Sequence, residues 1–168
     1  MTEEPHIRYV TGDATCPIGT GNKIVAHVCN DIGAWGAGFV LAVSRRWPLA
    51  REAYLAQKQD HGLVLGTVGI VKVEDAIWVA NMIAQHGIRS QRSTPPIRYD
   101  ALKKCLAGVA SHAREFHATV HMPRIGCGLA GGRWEMIEPL ICGELARIEV
   151  FVYDLPGTSA GGVATGAS

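Results

Sequence analysis

The sequence predicts a single α/β domain in which a layered sheet is covered by helices. Three observations lead to this prediction. Strand-like runs alternate with helix-like runs along nearly the whole chain. Hydrophobic residues make up 48% of the 168 residues, enough for one substantial core and too many for a disordered chain. Two glycine-rich turns, within 27–39 and 123–134, each follow an apolar run typical of a buried strand.

The first half of the chain is predicted to hold four strands and two helices. Pro48 favours the start of the second helix, because its fixed φ suits the first helical position, and His61-Gly62 is a stop signal. The turn Glu74-Asp75 joins two β-rich runs. In order, the predicted elements are strand 7–10, a turn-rich stretch 16–22, strand 23–29, helix 38–47, helix 48–59, strand 65–73 and strand 77–83.

The second half begins with a polar segment, 85–98, that is predicted to be a long loop. The clearest helix follows at 99–116, because its apolar residues recur on one face at three- and four-residue spacing. Pro139 and Gly143 weaken the prediction of the last helix. The remaining predicted elements are strand 119–125, helix 133–146 and strand 148–153.

The last residues differ in composition from the rest of the chain. Residues 157–168 contain only Gly, Ser, Thr, Ala and Val, and so lack bulky apolar groups. Such a segment is predicted to be disordered. The predicted folded domain is therefore 1–156, followed by a tail at 157–168.

Composition and charge exclude several classes of protein. A net charge of +1 is not typical of a polybasic protein that binds nucleic acid or a membrane surface. The five cysteines show no C-x-x-C pair, and residues 1–5 are acidic rather than signal-like. No apolar run approaches the roughly 18 residues that span a bilayer. These observations predict a cytoplasmic protein, and we expect it to be a monomer.

The two glycine loops suggest two sides of one diphosphate site. Glycine lets the backbone approach a ligand closely, and the amides at the following helix N-terminus can face an anion. Residues 126–131 match G-x-G-x-x-G, and Asp154 lies 23 residues beyond Gly131, near the spacing of the dinucleotide-binding motif. Only 14 residues follow Asp154, too few for a nicotinamide-binding domain. The alternative is that these glycines only make tight turns.

Polar residues at strand ends are the next candidates. Asp13 ends the first strand and has the chemistry to accept a hydrogen bond from an adenine amino group, although a solvated turn residue is the commoner role. His27 is either a ligand contact or a hydrogen-bonded histidine of the core. Asn30 opens the first loop, and its amide can both donate to and accept from a ribose hydroxyl.

The cysteines and tryptophans near the loops need no catalytic role, and the histidines need no metal-binding role. Cys29 and Cys127 lack an evident activating base and are predicted to be small buried side chains. Trp35 and Trp134 are predicted either to line the site or to pack the bases of the loops. Seven histidines show no metal-ligand spacing, so no metal and no cofactor are expected.

Both loops together resemble those of the macrodomains, which bind ADP-ribose. The resemblance rests on 27–38, on 122–129 and on Trp134, and it extends over about 7–155. It is strongest to a branch that includes the terminal ADP-ribose protein glycohydrolase of animals and a yeast ADP-ribose 1″-phosphate phosphatase. The resemblance implies a three-layer α/β/α fold with a six-stranded mixed sheet.

The resemblance also implies a binding site for ADP-ribose at one edge of the sheet. Asp13 would hold the adenine amino group, and Tyr153 would stack near the adenine. Residues 36–38 would face the distal ribose and diphosphate, while 126–129 would close over the diphosphate. The implied ligand-binding set is Asp13, Ala14, Asn30, Gly33, Trp35, Gly36, Ala37, Gly38, Phe39, Arg124, Ile125, Gly126, Cys127, Gly128, Leu129 and Tyr153.

Three positions depart from the catalytic residues of this family. Gln85 stands near the position of the glycohydrolase lysine, and Ala130 stands where its acidic partner would follow the second loop. Val40 occupies the position at which other hydrolytic macrodomains have an aspartate. A covalent lysine mechanism is therefore excluded by this alignment, because Gln85 cannot form a Schiff base.

The predicted function is hydrolysis of ADP-ribosyl esters on acidic side chains of mono-ADP-ribosylated proteins. The catalytic candidates are Gln85, Asn30 and His27, which would hold a water molecule that the substrate's own diphosphate activates. Neither a nucleic acid nor a membrane is an expected partner. Two alternatives stay open: a non-catalytic ADP-ribose reader, and a phosphatase acting on ADP-ribose 1″-phosphate.

Overall fold

The computed structural model describes residues 7–90 and 94–157, which form six strands and four helices. The strands are β1 (Ile7–Thr11), β2 (Lys23–Asn30), β3 (Val68–Glu74), β4 (Ile77–Gln85), β5 (Thr119–Pro123) and β6 (Val150–Asp154). The helices are α1 (Phe39–Arg46), α2 (Pro48–Asp60), α3 (Tyr99–Phe116) and α4 (Trp134–Glu144). Along the described residues, no helix has the length and hydropathy to cross a bilayer.

All six strands belong to one mixed sheet in the order β1-β6-β5-β2-β4-β3. Only the pairing of β3 with β4 is antiparallel. The carboxyl ends of the five parallel strands therefore meet at one edge, which is where ligands bind in open α/β sheets. The predicted six-stranded mixed sheet is confirmed.

The two faces of the sheet are covered by different pairs of helices. In β2, Ile24 and Ala26 face the core formed with α3 and α4, whereas Val25 and Cys29 face the core formed with α1 and α2. This alternation follows from the two-residue period of a strand. Because both faces are buried, β2 is apolar almost throughout, and the polar His27 needs a partner within the core. The predicted three-layer arrangement is confirmed.

The observed elements differ from the predicted ones mainly at their ends. β4 extends to Gln85, which was predicted to begin a loop, because Gln85 pairs with Asn30 of β2 in the parallel ladder and also forms an isolated antiparallel bridge with Ile97. β5 ends at Pro123, two residues before its predicted end. α4 continues through the exposed Pro139, the residue that weakened its prediction. The predicted disordered tail lies outside the described residues from position 158 onward.

Candidate functional site

A cleft of about 970 Å³ opens at the carboxyl ends of β2, β4 and β5. It lies between the first loop, which we define as 31–38, and the second loop, 124–133. Its lining residues are His27, Val28, Cys29, Asn30, Ala34, Gly36, Ala37, Gly38, Phe39, Val40, Gln85, Ile88, Pro123, Arg124, Ile125, Gly126, Gly128, Leu129 and Ala130.

Asn30 shapes the first loop from within. Its Oδ1 accepts the N–H groups of Ile32 (3.1 Å) and Ala34 (3.0 Å), and the Tyr54 hydroxyl lies 2.9 Å from the same oxygen. Its Nδ2 donates to the Ala34 carbonyl at 2.7 Å. The predicted bifunctional contact with a ribose is therefore corrected: the acceptor is already in use, and one N–H remains for a ligand.

The N-terminus of α1 provides backbone donors at the cleft. Gly38 precedes the helix with φ of 82°, a left-handed conformation that glycine adopts without strain. Within the described chain, no side chain caps α1, and its first turn contains no acidic residue. The amides of an uncapped first turn are left to bond to water or to an anion. Gly36, Ala37 and Gly38, which lead into this helix, all line the cleft.

The second loop is held by close backbone contacts. The N–H of Gly132 donates to the Gly126 carbonyl at 2.6 Å, and a Cβ at Gly132 would lie only 2.5 Å from that oxygen. The loop also approaches the first loop, since a Cβ at Gly38 would lie 3.4 Å from Cδ1 of Leu129. Gly128 is exposed, and nothing lies within 4 Å of a Cβ built on it. The two loops therefore face each other across the cleft.

Arg124 brings a fixed positive charge to the cleft. Its Nε and Nη2 donate to the two carboxylate oxygens of Asp154, both at 2.8 Å. Its guanidinium lies 4.7 Å from the ring centroid of Tyr9 and 4.9 Å from that of Trp134. The hydrogen bonds from Arg124 lower the pKa of the Asp154 carboxyl, although burial opposes this. The remaining N–H groups of Arg124 are oriented before any ligand binds.

His27 lines the cleft but is 1% exposed. Nδ2 of Asn81 donates to the Ala50 carbonyl at 3.1 Å. Oδ1 of Asn81 therefore faces Nε2 of His27 at 2.6 Å and accepts a hydrogen bond from its N–H. Burial lowers the pKa of His27 to about 4, and the bond to Asn81 only partly offsets this. His27 is therefore neutral at pH 7. It is a hydrogen-bonded core histidine, one of its two predicted roles, and its Nδ1 is an acceptor.

The three positions that depart from the family's catalytic residues all line the cleft: Gln85, Val40 and Ala130. Among the described lining residues, the ionisable ones are His27, Cys29 and Arg124. Burial raises the pKa of the Cys29 thiol, so this side chain is protonated. The described part of the cleft thus contains a cation, amide groups and a neutral imidazole, but no carboxylate.

Tyr153 and Ala14, which were predicted to bind the ligand, lie outside this cleft. Tyr153 is 4% exposed, its hydroxyl accepts the N–H of Ile18 (3.0 Å), and it lies 2.7 Å from Nδ1 of His121. Stacking on adenine would need an uncovered ring, so Tyr153 is removed from the proposed ligand set. Ala14 is buried beside it, in a small cluster with Phe151.

Asp13 also lies outside the lining residues. Its Oδ1 accepts both the N–H (2.8 Å) and the hydroxyl (2.7 Å) of Thr15. This is the turn-forming role typical of an aspartate after a strand. Contact between Asp13 and adenine stays a prediction. Because Oδ1 is bonded to Thr15, the contact would be made by Oδ2.

Three further predicted contacts support the loops from behind. Trp35 is 7% exposed and packs against Tyr54 and His27, which corresponds to packing the base of the loop rather than lining the site. Gly33 has φ of 88°, and a Cβ there would lie 2.7 Å from Nζ of Lys58. Cys127 packs partly buried against the core, and burial raises the pKa of its thiol to about 11.

Sequence reasoning missed the residues that orient the site from behind. Asn81 fixes His27, Tyr54 fixes Asn30, and Asp154 fixes Arg124. A polar residue inside an apolar strand, as Asn81 is in β4, was the available signal for a buried partner. In the described ranges 7–90 and 94–157, no three His, Cys, Asp or Glu side chains are grouped to hold a metal ion.

Known proteins share this fold and much of this sequence. No protein-family model matches the chain. A solved structure of a macrodomain protein from Streptomyces coelicolor is 52% identical, with a TM-score of 0.78, and covers 88% of this chain and 98% of that one. Chromodomain-helicase-DNA-binding protein 1-like of mouse is 31% identical over 92% of this chain, which spans only 18% of that relative's length.

Two relatives of similar size are enzymes by name. The human ADP-ribose glycohydrolase OARD1 is 28% identical, over 92% of this chain and 97% of its own. An ADP-ribose 1″-phosphate phosphatase from the yeast Lodderomyces elongisporus is 27% identical, over 88% and 97%.

The fold and the cleft define an α/β domain with an open cleft between two glycine loops at the carboxyl edge of a mixed sheet. At 52% identity over nearly the whole of a macrodomain structure, this chain belongs to the macrodomain family. The predicted family is confirmed.

Proposed function

We propose that this chain binds ADP-ribose in the cleft and releases ADP-ribose from esters on acidic protein side chains. The observation that carries the proposal is the pairing of two facing glycine loops with the uncapped N-terminus of α1 and the fixed cation Arg124. Backbone amides and a cation are the groups that hold a diphosphate. The relatives named as an ADP-ribose glycohydrolase and an ADP-ribose 1″-phosphate phosphatase support the ligand class.

Free ADP-ribose is expected to bind with a dissociation constant in the micromolar range, roughly −7 to −8 kcal/mol. The cleft volume of about 970 Å³ is large enough for a dinucleotide-sized ligand. Isothermal titration calorimetry measures this constant directly. No heat of binding and no thermal shift at millimolar ADP-ribose would exclude the proposal. AMP and ribose 5-phosphate, which are parts of the ligand, serve as controls that should bind more weakly.

The chemistry proposed for the ester needs little acid–base assistance from the protein. Water attacks the anomeric carbon of the distal ribose while the bond from that carbon to the ester oxygen breaks. The leaving group is a carboxylate, whose conjugate acid has a pKa near 4.3, so it departs without being protonated. The proton lost by the attacking water passes to a diphosphate oxygen of the substrate, and from there to solvent. The products are ADP-ribose and the free acidic side chain.

Gln85 is proposed to orient the attacking water. Its amide can donate and accept but cannot act as a base at pH 7. The Gln85→Ala variant is expected to lower turnover by about 10- to 100-fold, with little change in ADP-ribose affinity, because only positioning is lost. Single-turnover kinetics and calorimetry on the same variant separate the two effects. Turnover equal to wild type would assign the water to the loop backbone or to His27 instead.

Activity is expected to persist in a metal chelator and after alkylation of accessible thiols. Among the described lining residues only Cys29 carries a thiol, it is 3% exposed, and its pKa is raised by burial. Alkylation would instead modify the exposed Cys16, which serves as the internal control for reagent access. Inactivation by chelator that zinc or magnesium reverses would contradict the proposed mechanism.

Two other functions are tied to specific observations. The lack of a carboxylate among the described lining residues favours an ADP-ribose reader without turnover. Similarity to the yeast relative favours a phosphatase acting on ADP-ribose 1″-phosphate. One experiment distinguishes the three: incubate the protein with glutamate-modified protein, serine-modified protein and ADP-ribose 1″-phosphate. Release from glutamate alone supports the proposal, and phosphate release alone or no turnover favours one of the others.

A further inference from the structure

Asp31, which plays no part in the proposed chemistry, joins the first loop to the segment that follows β4. Its Oδ1 accepts the N–H of Gly87 at 2.8 Å, and its Oδ2 lies 2.7 Å from Nδ1 of His86. The N–H of Asp31 donates to the Gln85 carbonyl at 3.0 Å. One residue of the first loop thus contacts three consecutive residues at the end of β4, and its side chain is only 14% exposed.

Gly87 is also the partner of the Gln85 side chain. Nε2 of Gln85 donates to the Gly87 carbonyl at 3.0 Å. Gly87 has φ of 65°, a left-handed conformation that glycine adopts without strain. Because Asp31 holds the N–H of Gly87 and Gln85 bonds to its carbonyl, the carboxylate sets the orientation of the Gln85 amide. With Nε2 directed at Gly87, Oε1 is the branch of the amide left to accept from a water.

Asp31 itself is not placed to be the base. It is not among the described residues that line the cleft, and both of its carboxylate oxygens already have partners. Although burial opposes ionisation, the Gly87 N–H and the His86 ring together lower the pKa of the Asp31 carboxyl. A carboxylate with committed oxygens and a lowered pKa is an orienting group rather than a proton acceptor.

We propose that Asp31 is a positioning residue that acts through Gly87 to orient the Gln85 amide, with His86 as its second anchor. This inference rests on the proposed function, because Asp31 is expected to affect turnover only through the proposed role of Gln85. Its consequence is that the loss of Asp31 and the loss of Gln85 are not independent. Residues that act as one unit show non-additive effects when both are removed.

The test uses Asp31→Ala, Asp31→Asn, Gln85→Ala and the double variant D31A/Q85A. Asp31→Ala is expected to lower kcat by about 10-fold with less than about 3-fold change in ADP-ribose affinity. The double variant is expected to match Gln85→Ala alone. Asp31→Asn should keep kcat within about 3-fold of wild type, because its amide can accept from Gly87 and donate to His86. Asp75→Ala, an exposed carboxylate at the other end of β4, is the matched control.

A second readout does not depend on turnover. In ¹⁵N NMR spectra, the side-chain NH₂ signals of Gln85 are identified by their loss in Gln85→Ala. We expect Asp31→Ala to move them towards the position of a solvent-exposed glutamine, whereas Asp31→Asn and Asp75→Ala leave them in place. Thermal unfolding of each variant verifies that it is folded.

The outcomes separate the two proposals. If the wild-type protein shows no turnover, the proposed hydrolysis fails, and the NMR signals alone decide the role of Asp31. If the wild type is active but the decrease in kcat of the double variant equals the product of the two single decreases, the positioning role is overturned. The proposed function then stands. An unmoved Gln85 signal in Asp31→Ala, or an equal loss of affinity and kcat, also overturns the inference.

Discussion

Replacing Gly128 by glutamate is expected to weaken ADP-ribose binding by at least about 100-fold while the fold stays intact. Gly128 lines the cleft on the second loop, and a Cβ there meets nothing within 4 Å. It is not among the glycines with positive φ, so a side chain adds no backbone strain. The new carboxylate would stand beside the diphosphate. Two like charges about 4 Å apart at an effective dielectric constant of about 20 repel by ~4 kcal/mol.

The matched control is Gly143→Glu. Gly143 is exposed on α4, has no positive φ, and also has nothing within 4 Å of its Cβ position. It adds the same charge to the protein outside the described lining of the cleft. Calorimetry on both variants should show binding lost only in Gly128→Glu. Equal losses would indicate a general effect of charge, and normal binding by both would mean that the second loop does not contact the diphosphate.

Most of the fold could be predicted from the sequence because its signals are local. The alternation of apolar runs and the stop signals identified every described strand and helix to within a few residues. Gln85 is the instructive exception: it opens a segment of loop-like composition, yet it ends β4 because it pairs with Asn30 of β2 and, from beyond the loop, with Ile97. Such a bridge has no local signal, since the partner is contributed by a segment with its own loop-like composition.

The site was predicted less completely, because burial and side-chain partners depend on distant residues. Tyr153 stands at the end of a strand, where a ligand contact was expected, but its hydroxyl is bonded to the loop at Ile18 and to His121. Asp31 directly follows Asn30 in the sequence and was overlooked. Its partners, His86 and Gly87, lie 55 and 56 residues away, so nothing near Asp31 indicates its role.

The stability of the protein is expected to fall steeply as the pH drops from about 6.5 to about 4. His27 and His121 are 1% and 0% exposed, and burial lowers the pKa of each to about 4. For His121, the nearby positive charge of Lys23 lowers it further. The unfolded chain has histidines with a pKa near 6.5. Between these values the unfolded state binds a proton that the folded state does not, so acid favours unfolding.

The hydrogen bonds of His121 show why its folded form resists protonation. The Thr119 hydroxyl donates to the Asn22 carbonyl at 3.4 Å, so it accepts from Nε2 of His121 at 2.7 Å. Nδ1 of the neutral ring is then an acceptor, and the Tyr153 hydroxyl, 2.7 Å away, donates to it. A proton added to Nδ1 would face the hydrogen of Tyr153 and would break this chain of bonds. The neutral ring satisfies every partner, whereas the charged ring leaves one bond unmade in the core.

Each histidine is expected to contribute a slope of about 1.4 kcal/mol per pH unit within this window, and the two together a slope of about 3 kcal/mol per pH unit. The free energy of unfolding, measured by urea denaturation from pH 7 to pH 4.5, gives the slope. His27→Gln and His121→Gln should each lower this slope by the contribution of one histidine, whether or not the substitution itself destabilises the protein. His61→Gln, at an exposed position, should leave the slope unchanged.

A slope that does not change in His27→Gln would mean that this ring is already charged at pH 6 in the folded protein. His27 would then be a cation in the cleft and a proton donor to the ligand, contrary to the neutral acceptor described above. The slope therefore tests more than stability. It decides whether His27 beside the cleft is a cation, which has a proton to give to a ligand, or a neutral ring, whose Nδ1 only accepts a hydrogen bond.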